Sequence, residues 1–163
     1  MANDGCFSYI GTIHSPHTRI EGMPIQPAGA EGLIGRICIA PEFEAGLKDL
    51  EGFSHLILIY RLHLVDGYSL EVVPFLDVEP HGIFATRSPR RPNAIGISVV
   101  RLLSVDGPIL SFANPDMLDG TPLLDIKPYV AAFDRFDPEG EGWLAGRAGR
   151  SLDLLSDNRF SGP

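Results

Sequence analysis

Short apolar runs separated by turns form the dominant pattern of this chain. Its 163 residues include 18 glycines and 14 prolines, which fall mostly between the apolar runs, as expected where short strands are joined by tight turns. Several runs are rich in valine, isoleucine and aromatic residues, which suit a pleated sheet. The pattern predicts seven strands, at residues 7–13, 33–39, 55–62, 70–73, 95–103, 109–112 and 123–130.

Helical periodicity is convincing in only one segment, residues 41–50. This segment opens with proline and acidic residues, and it places Phe43, Leu47 and Leu50 at helical spacing. A chain of this length suits one domain with a proper core. The expected fold class is therefore mainly β, a single closed or sandwiched domain with one or two short helices.

Changes in composition divide the chain. Residues 18–31 are rich in Gly, Pro and Ala and predict a loop, which contains Gln26 and Pro27. After Asp134 the composition shifts again, so residues 1–134 are expected to form the β domain and residues 135–163 a C-terminal extension. Within that extension, residues 142–147 suggest a short strand with Trp143 packed back on the domain, and residues 156–163 suggest a surface tail.

Composition also restricts the cellular setting. No apolar run is long enough to span a bilayer, and the first residues carry no basic or apolar signal segment. These features lead us to expect a cytoplasmic protein without a membrane partner. The two cysteines, Cys6 and Cys38, show no motif spacing and are expected to be reduced.

The charge balance is acidic, with a formal net charge of −8. Broad nucleic-acid binding depends on neutralising phosphates with Lys and Arg, so this balance argues against it. Four arginines are nevertheless concentrated in one region, at positions 87, 90, 91 and 101, while the acidic residues are spread along the chain. A local basic patch therefore remains compatible with an RNA substrate.

Several common site types have no motif here. No G-x-G-x-x-G opens a helix after a strand, and there is no P-loop or G-x-S-x-G elbow. The five histidines form no cluster with zinc spacing, and the pair His14 and His17 is weak by itself. We therefore expect no metal site.

The most informative segment is residues 81–98, which contains what we call the arginine loop, residues 86–93. Arg87, Arg90 and Arg91 lie within five positions and are punctuated by Pro89 and Pro92. Proline fixes its own φ and restricts the residue before it, so the loop should be stiff. Guanidinium groups suit bidentate contacts and stacking, which favours a binding loop over a solvated basic turn.

The same segment resembles a family of β-barrel methyltransferases that use S-adenosylmethionine (S-adenosyl-L-methionine) to methylate N6 of threonylcarbamoyladenosine beside the tRNA anticodon. The resemblance lies in Phe-Ala-Thr-Arg-Ser at 84–88, Arg-Pro-Asn at 91–93, and Ile95, Gly96 and Ser98. Three further segments match in the same order, at residues 10–16, 50–56 and 119–129. Together they span roughly residues 7 to 134, and they imply a small β-barrel.

The resemblance also implies a set of cofactor contacts. Some have a plainer alternative: Gln26 a solvated loop residue, His63 a strand-end histidine, and the Asp-Gly turn an ordinary hairpin. Val99 is expected in the core in either case. Ala28 replaces a glycine of the family's loop. Leu64 replaces a polar residue, so only the backbone of Leu64 would contact the cofactor. The implied contacts are Gln26, Pro27, Ala28, His63, Leu64, Arg87, Val99, Leu118, Asp119, Gly120 and Thr121.

Substrate contacts are expected from the second half of the arginine loop and from the last strand. Arg91 and Asn93 belong to the matching loop motif. Asp125, Lys127 and Tyr129 alternate along a predicted strand and should share one face. That face would form a substrate wall, or else Asp125 and Lys127 form a surface ion pair of little consequence.

Methyl transfer from a sulfonium to nitrogen is an in-line displacement, in which the protein mainly binds and aligns the reactants. Because carbamoylation acidifies the N6 proton, no catalytic base is assigned. The side chains considered as proton acceptors are Asp119, Asp125, Tyr129 and His63.

Three functions remain open at this stage. The leading one is a tRNA methyltransferase, with tRNA as its substrate and a homodimer as the family's arrangement. The second is methylation of a small N-acyl or carbamoyl metabolite, and the third is a non-catalytic module that binds S-adenosylmethionine or a nucleotide. Longer members of the family carry a second domain associated with tRNA handling, and this chain has in its place only residues 135–163, which makes the methyltransferase class firmer than the tRNA substrate.

Overall fold

A six-stranded, closed antiparallel barrel is the main feature of the computed structural model, which describes residues 7–25, 30–147, 149 and 155–157. Around the barrel the strands follow the order β1-β2-β7-β6-β3-β8, and β8 pairs with β1 to close it. A two-residue ladder between β4 and β5 lies outside the barrel. The strands are β1 (Gly11–His14), β2 (Ile34–Ile39), β3 (His55–Arg61), β4 (Glu71–Val72), β5 (His81–Gly82), β6 (Ile95–Asp106), β7 (Ile109–Ala113) and β8 (Thr121–Pro128).

The barrel core follows from alternation along the strands. In β2 and β3 every second side chain is buried while its neighbours are more exposed, as the period of two requires. Leu56 and Leu58 of β3 meet Ile37 of β2, Leu110 of β7 and Leu123 of β8 in one core cluster, all without solvent exposure. Closure removes the free edges that an open sheet of these strands would expose.

Two glycines make room for aromatic rings inside the barrel. A Cβ added at Gly35 would lie 2.4 Å from Cζ of Phe112, its partner on β7. A Cβ at Gly96 would lie 2.2 Å from Cε2 of Tyr60, its partner on β3. The second pair positions the candidate site, because the Tyr60 ring crosses the barrel wall at Gly96.

Most predicted strands are confirmed, with three differences. Residues 7–10 precede β1 rather than belonging to it. The predicted strand at 70–73 shrinks to β4, which pairs only with β5. The predicted strand 95–103 continues to Asp106, where a two-residue turn with Gly107 at φ +54° leads into β7.

The helix expected at 41–50 is wrong as an α-helix. It forms two 3₁₀ segments, Pro41–Leu47 and Leu50–Gly52, separated by Asp49 in the left-handed region at φ +67°. Leu47 and Leu50 still reach the core, which explains the apolar spacing. An apolar triplet at helical spacing thus fits a tighter, interrupted helix equally well.

The C-terminal segment differs from the prediction too. Ala131–Asp134 forms one α-helical turn, α1, and Gly142–Leu144 forms a 3₁₀ turn where a strand was expected. Trp143 is held by segments outside the barrel strands: its Nε1 donates to the carbonyl of Ala85 at 2.8 Å, and its ring stacks on His81 at 4.4 Å. In the described ranges no helix is long and apolar enough to span a bilayer.

Candidate functional site

One large cavity opens at the end of the barrel where β3 finishes and β6 and β8 begin. It encloses about 470 Å³, within the usual range for small-molecule sites. The barrel contributes Tyr60, Gly96 and Thr121, and the segment after β3 contributes His63. Further walls come from segments outside the barrel, with lining residues that include Ile20, Met23, Pro74, Leu76, Arg87, Asp116, Leu118, Trp143 and Asp157.

Three side chains, Tyr60, Ser98 and Asp116, form a hydrogen-bonded network at this cavity, with Tyr60 and Asp116 in its lining. Ser98 Oγ of β6 donates to Oδ1 of Asp116 at 2.7 Å, and Tyr60 OH of β3 lies 2.9 Å from Ser98 Oγ. A hydroxyl has a single proton, which Ser98 gives to Asp116, so Tyr60 must donate to Ser98. Tyr60 and Ser98 are buried, while Asp116 is partly buried at the cavity surface.

Burial shifts the pKa values of two of these three side chains, Asp116 and Tyr60. Burial raises the pKa of Asp116 from 3.8 to about 6, although the Ser98 hydrogen bond and the charge of Arg87 act in the opposite direction. The pKa of Tyr60 is also raised, first by burial and then by the Asp116 charge. Tyr60 therefore stays a protonated donor, and Asp116 is the group that titrates in the physiological range.

The hydrogen-bonded network of Tyr60, Ser98 and Asp116 was not predicted from the sequence, because Tyr60 lies 38 residues from Ser98 and Ser98 lies 18 residues from Asp116. One signal was present in β6, where period-two alternation puts Gly96 and Ser98 on the same inward face as Val100. A hydroxyl facing a barrel interior requires a hydrogen-bond partner. Asp116 itself, between β7 and β8, has no local pattern to distinguish it.

Five of the residues expected to hold the cofactor do line the cavity: His63, Leu64, Arg87, Leu118 and Thr121. The pKa of His63 is lowered, first by burial and then by the charge of Arg61, so its ring is mainly neutral at pH 7. Its Nδ1 lies 3.5 Å from Thr121 Oγ1, too far for a strong hydrogen bond. The ring also hydrogen-bonds to the backbone of Arg61, which fixes it in the cavity wall.

The Asp-Gly turn is divided between two roles. Leu118 and Thr121 face the cavity, whereas Asp119 turns away and accepts hydrogen bonds from His14 Nδ1 at 3.0 Å and from the Ser15 amide at 3.2 Å. These contacts, the histidine first, lower the pKa of Asp119. Gly120 holds the turn at φ +76° and donates its amide to Ile13. Asp119 and Gly120 are therefore placed to brace β1 against the turn.

Val99 was expected to be a core residue whether or not it contacts the cofactor, and that expectation is wrong. Its side chain is 44% exposed on the outer face of β6, because Ser98 and Val100 occupy the inward positions. It does not line the cavity of its own chain. Gln26, Pro27 and Ala28 lie outside the described residues.

Arg91 of the arginine loop is held by its own chain. Its Nη1 donates to the carbonyls of Ile83 at 3.1 Å and Thr86 at 2.7 Å, and its guanidinium lies 5.8 Å from the Phe84 ring centroid. Arg91 lines the cavity, but these bonds stiffen the loop. Arg87 is exposed at the cavity and is the arginine better placed to meet an anionic group.

The other expected substrate residues do not line the cavity. Asn93 is exposed at the end of the arginine loop. Lys127 Nζ and Asp125 Oδ2 form a 2.8 Å ion pair with both side chains largely exposed, which matches the alternative of a surface pair. Tyr129 meets the His55 ring edge-on at 6.3 Å. Within the described ranges no group of three or more His, Cys, Asp or Glu side chains could hold a metal.

Comparison with known proteins places this site in a family context. The model of a family described as the tRNA-methyltransferase O N-terminal domain matches residues 12–135. A Pyrococcus abyssi protein named "Probable S-adenosyl-L-methionine-binding protein" is 48% identical over 155 residues, which cover 95% of this chain and 84% of the relative. The human tRNA (adenine(37)-N6)-methyltransferase is 36% identical over 134 residues, covering 77% of this chain and 30% of the human protein.

A solved structure agrees with these matches. The crystal structure of TrmO from Pseudomonas aeruginosa superposes with a TM-score of 0.72 at 35% identity, covering 85% of this chain and 62% of that one. This chain therefore spans less than two thirds of the TrmO chain, and less than a third of the human relative. The β-barrel expected from the sequence motifs is confirmed by the described strands.

Proposed function

Because the chain belongs to the tRNA-methyltransferase O N-terminal domain family, we propose that it transfers the methyl group of S-adenosylmethionine to N6 of a modified adenine beside the tRNA anticodon. The observation that carries this proposal is the cavity at the barrel end. It gathers His63, Arg87, Leu118 and Thr121, four of the positions that the family motifs assign to the cofactor.

The chemistry of the cavity suits this cofactor. Apolar walls such as Leu118 and Met23 can bury the adenine and the methylene groups. Arg87 offers a guanidinium for the methionyl carboxylate, and Asp116 supplies a negative charge within reach of the same space. When bound, the cofactor supplies an activated methyl group. The chain's own residues bind it, orient it and exclude water.

Methyl transfer to tRNA is tested directly. The protein is incubated with tritiated S-adenosylmethionine and bulk tRNA, and methyl incorporation is counted, with nucleosides then analysed by mass spectrometry. We expect label in an N6-methylated adenosine. Label appearing only in a small-molecule fraction would support the metabolite alternative, and binding measured by calorimetry without any transfer would support the non-catalytic one.

We further propose that the protein works as a homodimer. Ile95, Ile97 and Val99 form an exposed outer strip on β6, which we call the β6 strip, with exposures of 42%, 57% and 44%. Contiguous exposed apolar residues mark interaction sites. Ile95 and Ile97 also line the cavity, so a second copy seated on the strip would lie beside the cavity mouth. Val99 could then contact the cofactor of the partner rather than its own.

Val99→Asp tests this arrangement, since a charge in the strip should oppose dimer formation. Light scattering should show a dimer for the native protein and a monomer for the variant, with weaker S-adenosylmethionine binding by the monomer. Ile109→Asp is the matched control, because Ile109 is 42% exposed on β7 at the hairpin. A native monomer with full activity would contradict the proposal.

A further inference from the structure

Resting on the proposed methyl transfer, we propose that Asp116 is a catalytic residue: its carboxylate accepts the N6 proton of the acceptor as the methyl group is transferred. The carboxylate lies in the cavity wall, anchored from behind by Ser98 and Tyr60. The buried hydroxyl group of Ser98, itself hydrogen-bonded to Tyr60, fixes the orientation of this carboxylate.

The hydrogen-bonded network argues that Asp116 is held for a purpose beyond folding. Among the described residues its carboxylate forms no ion pair with a basic side chain, and burying an unpaired carboxylate is costly. An apolar residue or an amide would serve the barrel better there. Ser98 donates to Oδ1, and a backbone amide also hydrogen-bonds to the carboxylate. An ionised carboxylate has about four lone-pair sites, so it can still accept a proton from a bound molecule.

The proposed step balances as follows. The lone pair of N6 forms a bond to the methyl carbon, and the bond from that carbon to sulfur breaks, leaving its electron pair on a neutral thioether. The N6 proton passes to the carboxylate of Asp116, which becomes a neutral carboxylic acid. Solvent takes that proton before the next turnover. No oxidant, reductant or further reactant is needed.

The neighbouring charges suit this role. The charge of Arg87, which lines the same cavity, acts on Asp116. Ser98 of β6 donates to the carboxylate, and Tyr60 of β3 donates to Ser98. The other ionisable side chains that line the cavity are His63, Arg91 and Asp157. With a pKa of about 6, Asp116 is mostly ionised at pH 7 and yet a stronger base than an ordinary carboxylate, as efficient proton transfer requires.

The decisive variant is Asp116→Asn, compared with Asp106→Asn, which makes the same chemical change at an exposed site on the barrel hairpin. Single-turnover methyl transfer and calorimetric S-adenosylmethionine affinity are measured on both. We expect Asp116→Asn to transfer methyl at least ~100-fold more slowly while keeping its cofactor affinity within a few-fold. Asp106→Asn should match the native protein in both measurements.

The pH dependence of the methyl-transfer rate distinguishes the Asp116 carboxylate from the other ionisable groups of the cavity. The native rate should rise with pH through about 6 as Asp116 ionises, and Asp116→Asn should lose this rise. Ser98→Ala keeps the carboxylate but removes a hydrogen bond that lowers its pKa, so the rise should move to higher pH. His63→Asn, whatever it does to affinity, should leave the rise in place.

Three outcomes would overturn the assignment of Asp116 as the proton acceptor. An Asp116→Asn variant with native rate and native pH profile overturns the assignment while leaving the methyltransferase function intact. A rate loss fully explained by lost cofactor affinity also overturns it and makes Asp116 a binding residue. If the native protein methylates no acceptor at all, the proposed function fails first and the assignment falls with it.

Discussion

Replacing Asp116 by asparagine should stabilise the fold at neutral pH while it removes the proposed proton acceptor. The folded protein raises the pKa of this carboxyl from 3.8 to about 6. At about 1.36 kcal/mol per pKa unit, the shift corresponds to on the order of 3 kcal/mol. Because Asp116 is open to the cavity, water screens part of this cost, so the figure is an upper bound.

The sign follows from proton linkage. Between about pH 4 and pH 6 the unfolded chain has released the proton that folded Asp116 still holds, so the native protein loses stability as pH rises through this window. Above about pH 6 the penalty is complete, and below about pH 4 it is absent. Asparagine never ionises, and its Oδ1 still accepts the Ser98 hydrogen bond.

Urea unfolding of the native protein and Asp116→Asn across pH 3.5 to 8 measures the difference. The variant should gain nothing near pH 3.5 and about 2–3 kcal/mol near pH 8. Asp106→Asn should show no comparable gain in this window, because Asp106 is exposed. A difference between Asp116→Asn and the native protein that stays constant with pH would refute the argument, since the carboxyl would then have an ordinary pKa in the fold.

Three further predictions follow from named contacts. Arg91→Ala should cost about 1.5–3 kcal/mol in urea unfolding, because hydrogen bonds from a charged group to two carbonyls are lost. Arg87→Ala should cost less, because Arg87 is exposed and acts on Asp116 through its charge, and it should weaken S-adenosylmethionine binding at least ~10-fold by calorimetry. Gly96→Ala should cost about 1–3 kcal/mol, because its Cβ would clash with the tyrosine ring at 2.2 Å, and Gly82→Ala, with open space at its Cβ, is the control. Trp143 is the single tryptophan and lines the cavity, so cofactor binding should change the intrinsic fluorescence, and a phenylalanine substitution there should abolish that signal but not the heat of binding.

The strand predictions succeeded where one physical rule dominated. β2, β3 and β7 alternate between buried and exposed positions, so their residues carry the period of two directly. The prediction for Val99 was wrong because it rested on hydrophobicity alone, which assigned this residue to the core. The alternation along β6 instead places Ser98 and Val100 inside the barrel and Val99 outside. When the two signals conflict in a barrel strand, register decides which face a residue occupies.

The site was predictable only in part, and for a different reason. Motif resemblance named His63, Arg87 and Thr121, and these three residues line the cavity; their contacts with the cofactor stay a prediction. It assigned Arg87 to the cofactor and Arg91 to the substrate, but it could not show that the Arg91 guanidinium donates to two carbonyls of its own loop. Long-range pairings of this kind carry no local sequence signal.

The cavity has a rigid wall formed by barrel strands and an appended wall formed by segments outside the barrel. This division suggests that different residues determine ligand affinity and reaction rate. Tyr60 and Ser98 belong to long paired strands of a closed barrel, and they fix Asp116 to that frame although it lies in a connecting segment. The appended wall includes Trp143. This residue donates a hydrogen bond to the carbonyl of Ala85, and its ring stacks on His81 of the two-residue strand β5. Groups that must be placed within tenths of an ångström for proton transfer are best carried by the rigid wall. Changes in the appended wall should therefore alter mainly which molecules bind, and changes in the barrel wall mainly how fast a bound molecule reacts.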